Sequence, residues 1–346
     1  MTLISLLIAL LLEQVRPIRQ TNPIQTWLDQ KIRQVRAMEV DSVSSAWMAW
    51  GTIVVGGALG GLVIAKLLHL VHPILELAFM VGVLYLTLGF RQFSHWFSDI
   101  QVALRADDVV TARQILLKWV DESHADAVAR AAAEQGDASS VARESIRLAL
   151  VAAQRHVFGV IFWFVILPGP AGALGYWLSV QLLKGWAAHR TDAASSAGVL
   201  LESEASVSDP SVADGGDRFA NVSSLAYRWI DWAPVRVTAC IFAVVGNFED
   251  SVSMWRSRAA ASPEHVNDTD RVLIASGAGA MGVRLSVPDA LEGSDGLDEV
   301  LGNQSSEPDL REASAASLDT AVGLVWRAVV MWCFMVLLFY LGRWLS

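Results

Sequence analysis

Charged side chains are scarce in this sequence. Asp, Glu, Lys and Arg make up 18% of its 346 residues, whereas a soluble domain carries about 25%. Hydrophobic residues make up 53% of the chain and the mean hydropathy is +0.41. These values argue against an ordinary soluble enzyme and favour a membrane protein. No basic patch interleaved with aromatic residues is present, so nucleic-acid binding is not predicted.

Cysteine is nearly absent. Cys240 and Cys333 both lie inside apolar runs. Two cysteines are too few for a disulfide framework, and they do not form the C-x-x-C spacing of zinc or redox motifs. We predict that both are small buried side chains without a chemical role.

The net charge of −9 comes from two acidic segments, residues 191–220 and 286–320. Both are rich in Ser, Ala, Gly, Asp and Glu, and they contain a single Phe between them. This composition is typical of disordered linkers, which we predict here. The negative charge therefore indicates no acidic active surface.

Three long apolar stretches predict membrane-spanning helices. Residues 47–90 are long enough for two spans of about 20 residues each, with a turn at Pro73. A second stretch, 157–190, is interrupted by the Pro-Gly-Pro-Ala-Gly sequence at 168–172. The third, 321–346, carries Trp residues suited to a membrane interface. We expect about four spans.

No run with strand periodicity and no internal repeat is present, so we predict an all-α, polytopic integral membrane protein. Two short apolar runs, 3–12 and 235–246, cannot span and are expected to be short buried or half-inserted helices. The predicted organisation is an N-terminal short apolar helix with a basic segment (1–46), a transmembrane hairpin (47–90), a cytoplasmic soluble helical segment (91–156), a broken membrane segment (157–190), a linker (191–220), a core with a short apolar helix (221–285), an acidic linker (286–320) and a C-terminal transmembrane helix (321–346).

Polar side chains beside the apolar stretches form a candidate binding site. These residues are Arg155 and His156 at the foot of one span, Asp231 and Arg236 at the start of a short apolar run, and Arg284 after a glycine run. Arginine presents a planar fork of donors that suits phosphate, so we expect an anionic or phosphorylated small-molecule ligand. A structural alternative stays open, in which Asp231 caps its helix and pairs with Arg236.

Two acidic residues lie in or next to apolar runs. Glu13 follows the first run, and Glu76 lies in the longest stretch. An acid in a membrane segment is unfavourable unless it faces a partner or a cavity, so both are candidate ligand-binding residues. His69 and His72 precede Glu76, but Pro73 bends the chain between them. No metal site is predicted.

Four blocks resemble the CobD/CbiB family of cobalamin-biosynthesis membrane proteins. They are Leu104–Lys118, then Phe162-Trp163 followed by Gly169–Ala173 and Tyr176, then Pro234–Thr238, and last Gly279–Leu285. The third is similar to the family's P-A-R-L-T and the fourth to its G-A-L-G-V-R-L. The blocks follow one another in the family's order, and the resemblance implies a multi-pass protein of the bacterial inner membrane.

The resemblance also implies a function. The family's enzyme joins adenosylcobyric acid to an aminopropanol moiety, forming an amide at the expense of a nucleotide, which implies a corrinoid, a nucleotide and Mg²⁺ as ligands. The family's E-S-x-A-E-N-x-x-D-G block is not matched when the chains are aligned on Phe162-Trp163. The aligned positions hold Arg147, Leu148, Val151, Ala152, Arg155 and His156. We expect a role in cobalamin biosynthesis or corrinoid handling, and the missing carboxylates argue against the synthase reaction.

A second resemblance stays open beside the first. Leu11-Leu12-Glu13 and the Asp231–Arg236 segment resemble the F-E-R-L and D-W-V-P-V-R of AmpE, a non-synthase relative linked to β-lactamase induction. It implies a membrane sensor or regulator without turnover. Neighbouring corrin genes would favour the first hypothesis, and neighbouring genes of cell-wall or β-lactamase regulation the second.

Lys and Arg residues predict the orientation of the chain. They flank residues 47–90 on both sides, which places both flanks in the cytoplasm if this stretch is a hairpin. Reporter fusions made after Arg36 and after Arg130 are therefore expected to report the same, cytoplasmic side. Opposite sides for the two fusions would contradict the hairpin.

Overall fold

A computed structural model describes residues 2–15, 42–123, 125, 127–200, 210–261, 269–285 and 310–345. Its helices, in chain order, are α1 (Thr2–Val15), α2 (Val43–Val71), α3 (Pro73–Thr87), α4 (Phe90–Arg105), α5 (Val109–Ser123), α6 (Ala127–Gln135), α7 (Ala138–Ala153), α8 (Gly159–Ile166), α9 (Ala171–Leu200), α10 (Pro210–Val245), α11 (Phe248–Ala261), α12 (Thr269–Met281) and α13 (Ala315–Leu345). These ranges contain no strand, and one isolated bridge pairs Val283 with Arg311. The predicted all-α class is confirmed.

Three helical stretches are long and apolar enough to cross a membrane. They are Val43–Val71, Ala138–Ile166 and Ala315–Phe339. The second arm of the predicted hairpin, Pro73–Thr87, has only 15 residues, and the apolar part of α1, Ile4–Glu13, is shorter still. About 20 residues are needed to span, so the described residues contain three candidate spans where we expected about four.

The middle candidate span lies in the interior of the molecule. Within its most apolar window, 61% of the residues are buried, against 17% for Val43–Val71 and 33% for Ala315–Phe339. The other two helices therefore present most of their apolar side chains outward, as helices in contact with lipid do. The interior position of Ala138–Ile166 lets its polar residues meet other helices.

A sharp turn separates α2 from α3, at the predicted place. His72 has an extended backbone, and its Nδ1 atom accepts a hydrogen bond from the Ile74 N–H at 3.2 Å. Pro73 is the first residue of α3, a position where its missing N–H leaves no bond unmade. Local chemistry alone accounts for this boundary.

The described parts of the predicted linkers are more ordered than their composition indicates. Helix α9 extends to Leu200 and α10 starts at Pro210, so only residues 201–209 of the 191–220 linker lie outside the described residues. Ala is the strongest helix former, which accounts for helix in an Ala-rich polar segment. Of the 286–320 linker, residues 286–309 lie outside the described residues, while Leu310 and Ala313 are buried.

Two smaller expectations also need correction. Residues 235–245 are the end of the 36-residue helix α10 and not a separate short helix, because the helix continues through Pro234. Cys240 is exposed and Cys333 is half-buried, so the prediction that both are buried is wrong. An apolar run in the sequence does not indicate which face of the helix packs against the core, so it could not predict the burial of either cysteine.

Helices α10, α11 and α12 approach each other closely at small residues. A Cβ atom on Gly279 of α12 would lie 2.4 Å from the Asp250 carbonyl oxygen of α11. A Cβ on Gly246, just after α10, would lie 2.6 Å from the carbonyl oxygen of Ala280. The glycine run 277–282 is therefore a packing surface between helices.

This close packing predicts different effects of two Gly→Ala substitutions. Gly279→Ala should lower the free energy of unfolding by about 1–3 kcal/mol, since backbone atoms of α11 must move. Gly51→Ala in α2 is the matched control, because no atom lies within 4 Å of the added Cβ. Thermal unfolding in detergent measures both. Equal melting temperatures for the two variants would contradict the packing argument.

Candidate functional site

A π-helical turn, Gln154–Phe158, joins α7 to α8 in the middle of the interior helix. Such turns insert an extra residue, shift the side chains that follow and are frequent at functional sites. Here the turn carries Gln154, Arg155 and His156 into contact with α9, α10 and α12. Gln154 and His156 are buried.

Asp231 of α10 is a fully buried carboxylate that binds three side chains. Gln154 donates through Nε2 to Oδ1 at 2.9 Å, and the Tyr176 hydroxyl donates to the same oxygen at 2.9 Å. The Tyr227 hydroxyl donates to Oδ2 at 3.0 Å. Burying a carboxylate is unfavourable without such partners, so these bonds fix the π-helical turn and α9 against α10.

A basic group of side chains adjoins this carboxylate. Arg155 donates to Asp270 of α12 at 2.7 Å and lies over the Tyr227 ring, 5.6 Å from its centroid. Nζ of Lys184 lies 2.8 Å from Nε2 of His156. The negative charge of Glu122 also acts on Lys184. We call the whole set the polar core cluster; it consists of Gln154, Arg155, His156, Tyr176, Lys184, Tyr227, Asp231 and Asp270.

Of the cluster members outside the candidate spans, Asp231 and Lys184 have pKa values shifted toward neutral pH. Burial raises the pKa of Asp231 to about 7, and the charge of Asp270 acts in the same direction, while the bonds from Gln154 and the two tyrosines oppose it. Burial also lowers the pKa of Lys184 to about 8, helped by the positive charge of Arg155. Both groups therefore change charge near neutral pH.

Three buried polar atoms of the cluster have no hydrogen-bond partner among the described residues. They are Oε1 of Gln154, Nε of Arg155 and Oδ1 of Asp270. Buried polar atoms are nearly always paired, so unpaired atoms need an explanation such as a water or a ligand. One unpaired donor and two unpaired acceptors, beside the basic side chains of Arg155 and Lys184, can bind a small molecule that carries both acceptor and donor groups.

The structure brings together three of the residues predicted for the site, namely Arg155, His156 and Asp231. Arg236 instead donates to the Trp232 carbonyl oxygen at 3.1 Å and lies 4.1 Å above the Trp232 ring centroid. Asp231 lies in the interior of α10, so it does not cap a helix. Arg284 is exposed, and its backbone N–H donates to the carbonyl oxygen of Arg311.

The two predicted acids of the apolar runs lie elsewhere. Glu76 is buried, and its Oε2 is 2.6 Å from Nδ1 of His69, which closes the turn between α2 and α3. Glu13 is buried at the wall of a separate apolar cavity. The described residues include no group of three or more His, Cys, Asp or Glu side chains placed to hold a metal ion.

Comparison with known proteins agrees with the family blocks. A Chromobacterium violaceum protein named cobalamin biosynthesis protein CobD is 27% identical over 216 residues, which are 62% of this chain and 57% of that protein. A Stutzerimonas stutzeri protein of the same name is 27% identical over 285 residues, 82% of this chain and 78% of that protein. The chain is related to the CobD/CbiB family.

The resemblance to CobD proteins that was stated from the sequence is thereby confirmed. The chain spans less than two thirds of the length of the Chromobacterium CobD protein. No family model matches the chain. No solved structure matches it either.

Several cluster residues of this CobD relative were missed in the sequence. Tyr227 stands four residues before Asp231 in α10, a spacing that places both on one helical face and could have indicated the pair. Tyr176 belongs to one of the family blocks. Lys184 and Asp270 carry no local signal, because they reach the cluster only through the packing of α9 and α12.

The raised pKa of Asp231 predicts a pH dependence of stability. The folded state holds this proton up to about pH 7, whereas the unfolded state releases it near the ordinary aspartate pKa of 3.8. Wild-type stability should therefore fall between about pH 4 and pH 7 relative to Asp231→Asn, which cannot titrate. Melting temperatures of both proteins across this range, with exposed Asp99→Asn as the control, measure the effect. A difference that stays constant with pH would contradict the assignment.

Proposed function

We propose that this chain is a bacterial inner-membrane protein that acts in cobalamin biosynthesis or corrinoid handling by binding an anionic small molecule at the polar core cluster. The names of its two relatives support the pathway. The observation that carries the site is the group of buried polar atoms without partners beside Lys184, in the interior of an apolar helical bundle.

The charges of the cluster favour an anion. Arg155 donates to Asp270, and its buried Nε atom is left to donate. Lys184 contacts the ring of His156, another basic group. A phosphate or carboxylate between Arg155 and Lys184 would accept charge-assisted hydrogen bonds from both, and bonds of this kind are the strong ones.

The cluster does not fit the Mg²⁺ and nucleotide implied by the family. Mg²⁺ prefers several carboxylate or water oxygens in octahedral array. Both oxygens of Asp231 accept hydrogen bonds from neutral side chains, and Asp270 pairs with Arg155. Gly277 and Gly279 lie inside helix α12 and pack against Leu150 and Asp250, so they form no phosphate-binding loop. We therefore propose ligand binding without the synthase reaction.

One observation favours the regulatory alternative. Trp229 and Trp232 of α10 are 72% and 45% exposed, and Arg236 lies over the second ring. An exposed aromatic pair with a stacked arginine is typical of a protein contact surface. An AmpE-like sensor would use this surface for a partner protein, and the cluster would then only hold the helices together.

Calorimetric titration of the purified protein with adenosylcobyric acid and with phosphorylated amino alcohols tests the proposal. Arg155→Lys keeps the positive charge and loses the planar fork. It should weaken binding by about tenfold or more, the change that about 1.4 kcal/mol produces. Arg236→Lys is the matched control, since Arg236 lies outside the cluster, and it should bind as the wild type does.

Two results would contradict the proposal. Equal affinities of Arg155→Lys and wild type would mean that the arginine is structural. A failure of every candidate to bind the wild-type protein, together with normal cobalamin production in a deletion strain, would favour the regulatory alternative. An altered response to β-lactams in that strain would then be the expected phenotype.

A further inference from the structure

A cavity of about 580 Å³ lies apart from the polar core cluster. Helices α1, α4 and α13 form its walls, together with Ala149, Leu150 and Val157 of the interior helix. No member of the cluster lines it. Its size falls within the ~300–1,000 Å³ typical of ligand pockets.

The cavity opens through the apolar outer surface. Leu7 and Leu11 of α1 line it and are 46% and 65% exposed. Val322 and Trp326 of α13 also line it, at 37% and 41% exposure. The helix that carries the last two is a candidate membrane span, so this surface faces lipid. A molecule that reaches the cavity by this opening comes from the bilayer.

The wall is apolar except for a few side chains. Leu, Val, Phe and Ala line most of it, which suits a hydrocarbon chain. The hydrogen-bonding side chains are Ser94, Ser98, Trp326 and the buried acid Glu13, which is only 6% exposed. An acid in this position favours a headgroup that carries an ammonium group and no net charge over one with a net negative charge.

We propose that this cavity binds one acyl chain of a bilayer lipid with an amine-bearing headgroup, of the phosphatidylethanolamine class. The chain occupies the space between α1, α4 and α13, and the ammonium group lies toward Glu13. This site is independent of the proposed cobalamin role, because it shares no residue with the polar core cluster.

Mass spectrometry of the detergent-purified protein tests the site by measuring retained phosphatidylethanolamine. Val325→Phe fills the cavity from a residue that is 6% exposed. Val330→Phe makes the same change at a 65% exposed position of the same helix that does not line the cavity. The first variant should retain about tenfold less lipid than wild type, the ratio that about 1.4 kcal/mol of lost binding produces. The control should retain as much as wild type.

A second arm tests the headgroup. Thermal shifts in vesicles of phosphatidylethanolamine should exceed those in phosphatidylglycerol for the wild type, and Glu13→Gln should remove this preference while the acyl chain is still retained. If Val325→Phe does not fold, Ala321→Leu fills the same cavity from a 2% exposed position. Equal lipid retention by the filling variant and the Val330→Phe control, or a wild type without retained lipid, would overturn the proposal.

Discussion

The buried carboxylate of Asp231 is the constraint on which the interior of this protein depends. It lies among apolar helices and must receive hydrogen bonds there, and three helices supply them through Gln154, Tyr176 and Tyr227. Losing one donor would leave a buried oxygen unpaired, which costs about 1–3 kcal/mol. The hydrogen bond from Tyr176 to Asp231 also requires a small residue in the neighbouring helix. A Cβ atom on Gly159 would lie 2.1 Å from the Tyr176 ring, so the tyrosine reaches Asp231 only because residue 159 is glycine.

The position of the interior helix follows from the same requirement. Polar groups in a membrane segment are tolerated when they face other protein groups and are very unfavourable when they face lipid. The stretch Ala138–Ile166 carries Gln154, Arg155 and His156 and is the most buried of the three candidate spans. The π-helical turn places these neighbouring residues toward different partners, with Gln154 against Asp231, Arg155 against Asp270 and His156 against Lys184.

Residues of the family blocks take part in the packing of the interior. Tyr176 and the 279–285 block of the resemblance support the interior: one binds Asp231, and the other begins with Gly279 against α11. Trp163, from the second block, donates to the Ile230 carbonyl oxygen at 3.2 Å and so fixes α8 against α10. In the polar core cluster, arginine, lysine and histidine lie next to two engaged aspartates. This arrangement is the physical basis for proposing ligand binding without the family's synthase reaction.

The sequence by itself determined what depends on short-range chemistry. Apolar composition predicted an all-α membrane protein, Pro73 predicted the turn between α2 and α3, and the family blocks indicated the relation to CobD. Arg155, His156 and Asp231 were found because they are polar residues that stand beside apolar runs. The tertiary structure alone decided which of these residues meet. Lys184 and Asp270 join the cluster from helices distant in sequence, Arg236 stacks on its own helix, and Glu13 faces a separate cavity. The reason is physical: periodicity and composition report the environment of a segment, whereas contacts across the core depend on how whole helices pack.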